Sequence, residues 1–149
     1  WCKWGIMMAK ALNHGFLSFT GWNLLLDETG GPNIGPFFCG GLATRNTQTG
    51  ELSYSGQYRA LRHFSGFIKK NARIYAAKAD IQGMNLSCFP HKSLPTEVCA
   101  AKNPDGSFVL QIVNPDKNKV QLQYAFRGKR WYIEALPDSV STVVFEEKN

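Results

Sequence analysis

The sequence predicts a mixed fold: the end of an α/β repeat, then a capping helix, then an antiparallel all-β part. Two observations carry this. Apolar residues near the N-terminus recur at helical spacing, whereas after Asn71 the chain breaks into short alternating segments separated by turn signals. At 149 residues with 44% hydrophobic content, one domain or two small ones is the expected size.

Residues 4–14 space Trp4, Met7, Met8, Ala11 and Leu12 at three and four, which predicts a helix with the methionines as core filler. "GFLSFTGWNLLL", residues 15–26, alternates and then runs apolar, as does a strand covered on both faces in a parallel sheet. A helix leading into such a strand is the αβ half of a βαβ repeat. Residues 27–41 are turn chemistry, and "LATRNTQTGELSYSG" is a hairpin centred on its Thr-Gly pair. "SGQYRALRHFSGFIKKNA" then predicts a second helix, with Ser55 as N-cap and Tyr58, Leu61, Phe64 and Ile68 as its apolar stripe.

The remainder predicts strands in "ARIYAAKA", "TEVCAAKN", "SFVLQIVNP", "VQLQYAFR", "RWYIEALP" and "SVSTVVFEE". Turn signals such as "NPDG" and "NPDKNK" separate them, and strands so short and closely spaced indicate an antiparallel sheet or sandwich.

The net charge of +6 arises from 17 basic and 11 acidic side chains. They read as scattered, with local groups at Lys69 and Lys70 and at Arg127, Lys129 and Arg130. No basic helix, stripe or zinc spacing accompanies them, so a solvated surface is expected rather than a nucleic-acid footprint, with peripheral contact to an anionic membrane surface left open. No apolar run reaches the roughly 20 residues of a spanning helix. The N-terminal "WCKWGIMMAK" lacks the order of a signal peptide and reads as mid-protein sequence.

Cys2, Cys39, Cys88 and Cys99 match no CxxC or Cys/His pattern, which speaks against a zinc site, and no cofactor is implied. Cys88 and Cys99 flank the loop "FPHKSLPTEV" and are candidate disulfide partners in an oxidising compartment; two buried free thiols satisfy the sequence equally well. "NLS" at Asn85 fits an N-glycosylation sequon. Together these favour a secretory route, hence an extracellular or lysosomal location.

If the first strand belongs to an α/β barrel, its C-terminal end places Trp22 and Asn23 where a substrate would sit. The Trp22 indole would offer a flat apolar face for a sugar ring; a core tryptophan closing the barrel fits the spacing as well. Asp27 and Glu28 are adjacent and so point to opposite sides of an extended chain, which excludes them as a glycosidase pair flanking one bond. A Gly-turn hydrogen bond or a solvated loop suits both better. His14, His63 and His91 have no nucleophile at a telling distance and no GxSxG elbow, so each reads as a surface or packing histidine. Cys39 beside glycines, without a base, reads as a structural thiol or disulfide partner. Gly31 before Pro32 lies in a tight segment and is expected to be cis, since X-Pro bonds carry a cis penalty of only about 0.5–1 kcal/mol.

The run "LNHGFLSFTGWNLLLDETGGPN", with "FFCGGLAT", "TGELSYSGQYRALRHFSGFIKKNARIY" and "AAKNPDGSFVLQIVNPDKNKVQLQY", resembles the C-terminal part of glycoside hydrolase family 30. That family includes the glucosylceramidases and related retaining β-glycosidases. The resemblance covers nearly the whole chain, and "WNLLLDETGGPN" and "HFSGFIKKNAR" are its specific blocks. It implies a parent enzyme with a (β/α)8 TIM barrel and an attached β-sandwich. Residues 1–71 would supply the barrel's last helix and strand with the capping helix, and residues 72–149 the sandwich.

The same resemblance implies that Trp22 matches the aromatic residue lining the sugar pocket, next to Asn23. It also implies that the acid/base and nucleophile glutamates lie upstream of Trp1, so this chain alone is expected to be inactive. Some members place a pocket asparagine shortly after "GGPN"; here the sequence runs "IGPFFC", so that contact falls to Pro36 or Phe37 or is lost. The implied partners are a β-linked sugar, as glycolipid or glucan, and the upstream part of the barrel. A non-catalytic carbohydrate-binding or scaffolding β-sandwich module is the alternative, and the upstream reading frame separates the two.

Overall fold

The computed structural model describes residues 1–75, 77, 95–126 and 128–146. Helix α1 spans Cys2–Asn13, as its spacing predicts. Its buried face is Cys2, Gly5, Ile6, Met8 and Ala9, rotated from the expected stripe, and Met7 is left 45% exposed. Gly5 explains the rotation. A Cβ there would stand 3.0 Å from Val113 Cγ2 and 3.2 Å from Val140 Cγ2, so the bare backbone lets the helix settle onto the sheet. A glycine contributes nothing to a hydrophobic stripe, which is why the spacing pointed elsewhere. A 12-residue helix with no side-chain cap is marginal alone. Burial of Ile6 and Met8, at about 1.5–3 kcal/mol each, outweighs that deficit.

The strand expected over 15–26 is a correction. Residues 15–24 join no ladder, and strand β1 is only Leu25–Asp27, paired in parallel with β2, Ala43–Arg45. Instead of being covered on both faces, Leu17 and Leu24 are exposed. A central parallel strand exists only between neighbours, and the described residues hold none for this segment. Among the described residues the parallel pairing is limited to β1 with β2, and α1 packs on α2 and on the β-sheet described below.

The hairpin forms as expected, β2 pairing antiparallel with β3, Leu52–Tyr54, in the sheet order β1-β2-β3. Helix α2 spans Gly56–Phe67, and its predicted cap holds: Ser55 Oγ accepts from Tyr58 N at 3.2 Å. Ala60 and Phe64 are its buried residues.

Each predicted segment holds a strand among the described residues: β4 Arg73–Tyr75, β5 Glu97–Lys102, β6 Phe108–Asn114, β7 Val120–Phe126, β8 Lys129–Ala135 and β9 Ser139–Phe145; residues 76, 78 and 79 of the first segment lie outside the described residues. They make an antiparallel sheet ordered β4-β5-β6-β9 and a β7-β8 hairpin, consistent with a small β-sandwich. Strand alternation divides the core. Cys99, Val113 and Val140 turn to the helices and pack with Cys2, Ile6, Met8, Ala9, Ala60 and Phe64. Their neighbours Val98 and Ile112 turn to the other face and pack with Ala135, Leu122 and Ile133 of the hairpin. The helix-side cluster therefore draws on residues from both sides of position 71.

Candidate functional site

The site begins where Leu42 N donates to Asn23 O at 2.9 Å and Ala43 N to Leu24 O at 3.0 Å, tying residues 23–24 to the start of β2. Trp22, one residue earlier, is 79% exposed, so it is no part of this chain's own core. The Trp22–Asn23 peptide is cis, and Gly31–Pro32 is cis as expected.

Beyond β1 the Gly-rich turn is built around one carboxylate. Asp27 Oδ1 accepts from Thr29 N at 2.9 Å, Thr29 Oγ1 at 2.7 Å and Gly31 N at 2.8 Å. The Thr29 hydroxyl, and then the Gly31 amide, hold the Asp27 carboxyl below its ordinary range. Asn33 Nδ2 closes the next loop by donating to Gly30 O at 2.8 Å and Phe37 O at 2.7 Å. Gly30 has φ +81°, and a Cβ there would meet Cys39 N at 2.7 Å, so only glycine fits this neck. The result is a polar-floored recess of about 510 Å³ lined by Asp27, Thr29, Asn33, Phe37 and Phe38 among others. Trp22 and Asn23 are not among its lining residues.

Glu28 is committed elsewhere. Its Oε2 accepts from Thr47 N at 2.9 Å and its Oε1 from the Thr47 hydroxyl, pinning the β2–β3 hairpin and holding the carboxyl below its ordinary range. Asp27 and Glu28 thus diverge as the sequence predicts and do not flank a common bond.

Of the described histidines, His14 is a surface residue and His63 a packing one. His14 Nδ1 lies 2.8 Å from Lys10 O at the end of α1. His63 Nδ1 lies 2.8 Å from Thr142 Oγ1, that hydroxyl donates to Gln111 Oε1 at 2.7 Å, and Gln111 Nε2 donates to His63 O at 2.6 Å. Because the single hydroxyl proton goes to Gln111, His63 Nδ1 carries its own proton. Burial, reinforced by Arg62, lowers the His63 pKa. Cys2, Cys39 and Cys99 are free thiols, and burial pushes Cys2 and Cys99 up to about 12, which suits inert core thiols rather than nucleophiles. Cys88, the sequon at Asn85 and His91 lie outside the described residues. Among the described residues no group of acidic, His and Cys side chains could hold a metal ion, and no helix is long and apolar enough to cross a membrane.

The spacing missed the polar core. Asn114, fully buried, donates from Nδ2 to Asn118 O, Ala135 O and Leu136 O at 2.9, 3.2 and 2.9 Å, joining the β6–β7 turn to the end of β8. Asn103 accepts from Lys69 N and donates to Phe67 O, each at 2.9 Å, locking the end of α2 to the β5–β6 turn. Both open an "NPD" triplet, and the repeated triplet was the available signal.

No protein-family model and no curated protein matches this sequence. Solved structures do. SrfJ from Salmonella typhimurium matches with a TM-score of 0.72 at 22% identity, over 97% of this chain and 32% of its own. The endo-β1,6-glucanase BT3312 matches with a TM-score of 0.67 at 20% identity, over 85% of this chain and 26% of its own. The chain spans about a third and a quarter of these two proteins, and at such identities the likeness is one of fold. It therefore carries the fold of one part of two larger proteins, one of them a glucanase.

Proposed function

We propose that this chain is the C-terminal portion of a retaining β-glycosidase of glycoside hydrolase family 30, with both catalytic glutamates upstream of Trp1. The observation that carries the reading is the fold shared with an endo-β1,6-glucanase over 85% of the chain. In such an enzyme one glutamate attacks the anomeric carbon, and the other protonates the leaving oxygen and then activates water. This chain's contribution is positioning. Trp22 presents its free face to the sugar ring as positive charge develops there, and Asn23 orients a hydroxyl.

The exposed apolar side chains Phe16, Leu17, Leu24, Leu25 and Ile34 support an obligate partner. Large apolar side chains exposed in this number suit an interaction surface. The upstream barrel is its natural cover, with residues 1–71 completing the barrel and 72–149 the sandwich. A secretory route, extracellular or lysosomal, with Asn85 glycosylated, completes the proposal; the free, buried Cys99 thiol overturns the expected pairing with Cys88. Mass spectrometry of secreted protein before and after deglycosylation tests the modification.

The deciding experiment is to express the reading frame including the upstream sequence and assay an aryl β-glucoside. Turnover abolished by replacing either of two strand-end glutamates upstream supports the reading. An upstream sequence with no barrel would leave a carbohydrate-binding or scaffolding module instead.

A further inference from the structure

The charge that reads as scattered in the sequence is gathered by the fold. Strand register brings Arg73 opposite Lys102, Lys102 opposite Phe108 and Phe108 opposite Phe145, so β4 and β6 start, and β5 and β9 end, at one tip of the sandwich. The β7–β8 hairpin turns at the same tip. Phe126 pairs with Lys129, and its ring centroid is 4.6 Å from that of Phe108. The segment before β4 arrives there too, Lys69 N donating to Asn103 Oδ1 in the β5–β6 turn. Lys69, Lys70, Arg73, Lys102, Lys129 and Arg130 therefore share this tip with two described acids, Asp105 and Glu146.

Five of these cations are exposed, all but Lys102, whose Nζ lies 5.0 Å over the Phe108 ring. Asp105 is occupied by Ser107, which donates from N at 2.9 Å and from Oγ at 2.6 Å. Among the described residues the ion pair is Lys119–Glu134, at the opposite end of the hairpin. The exposed aromatics Phe67, Tyr75 and Trp131 stand among the cations.

We infer that this tip is a docking surface for an anionic lipid bilayer. The tip is net positive and, among the described residues, its cations form no ion pair, which complements a negatively charged leaflet; interleaved aromatic rings suit the headgroup layer. A nucleic acid would call for a stripe or groove following a phosphate backbone, and the cations instead cap the ends of strands. The inference does not depend on the glycosidase reading.

Vesicle co-sedimentation of residues 1–149 tests it, with phosphatidylcholine alone or mixed with phosphatidylserine, at low and high salt. Binding is expected only with phosphatidylserine and is expected to weaken with salt. The double variant Lys129→Ala/Arg130→Ala should bind roughly tenfold more weakly, as should Lys69→Ala/Lys70→Ala, while Lys119→Ala binds like the parent. These are exposed positions, and a circular-dichroism melt confirms that each variant is folded. Equal, salt-insensitive binding to neutral vesicles would assign the contact to exposed apolar side chains such as Leu17 and Leu24 and overturn the inference. So would unchanged binding by both double variants, or tighter capture by duplex DNA or heparin than by vesicles.

Discussion

Trp22 and Asn114 sit at opposite extremes of this molecule. The indole is largely solvent-facing in this chain, so truncation removes little of the chain's own packing, and a sugar-platform role in the longer protein predicts that Trp22→Ala lowers its melting temperature only modestly. If the ring carries the sugar, kcat/KM should fall about 10- to 1,000-fold, roughly 1.4–4 kcal/mol of transition-state binding. Thermal melts and steady-state kinetics on one preparation check both halves; a large stability loss with normal specific activity would defeat the platform role. Asn114 reverses the pattern. Removing its amide strands the buried carbonyl of Ala135 and the part-buried one of Leu136, so Asn114→Ala should cost about 1–3 kcal/mol, read from urea unfolding, with no effect on any sugar contact. Composition alone could not separate these two. Trp22 was legible as a candidate because an aromatic followed by a polar turn is a recognisable order, whereas a buried asparagine looks in sequence like any turn residue.

Among the elements, those whose signal is local were readable. Ser55 and the stripe behind it placed α2, and alternation between turn pairs placed all of β4 to β9. The elements that failed depend on distant partners. The segment before β1 had the composition of a buried strand but no neighbour to pair with among the described residues, and the face of α1 was chosen by a glycine. That choice is testable. Gly5→Leu would drive a side chain into Val113 and Val140, and overpacking of this sort costs about 1–3 kcal/mol. Met7→Ala on the exposed side of the same helix should change stability by far less. Denaturant midpoints of the two variants measured together would expose an error in the helix's orientation, since the reverse order contradicts it.

At the scale of the whole molecule, acid should loosen the joint between α2 and the sheet. His63 has its folded pKa below the unfolded value of 6.5, so the unfolded chain takes up the proton first. Its contribution is intact above about 6.5 and is lost as the pH falls from there through the lower folded value. The melting temperature should decline in that window, and His63→Gln should flatten the decline; an identical slope in the variant would show that other groups carry it. Further down, Asp27, Glu28 and Asp105 lose their contributions as the pH falls below their ordinary values and through the lowered folded ones. The isolated chain is expected to give no hydrolysis of an aryl β-glucoside above background, a result that activity abolished by mutating an acid within it would reverse.

The apolar cluster that joins α1 and α2 to one face of the β4-β5-β6-β9 sheet bears on how such a piece can be inherited. A recombination event that cut the gene at codon 72 would hand on strands stripped of the helices covering Cys99, Val113 and Val140. The recipient would gain a sheet with one bare greasy side, prone to clump before it could serve any new host. Only a transfer that begins upstream of Cys2 carries a unit able to keep its own interior dry, so the heritable module is longer at its N-terminal side than the run of strands suggests.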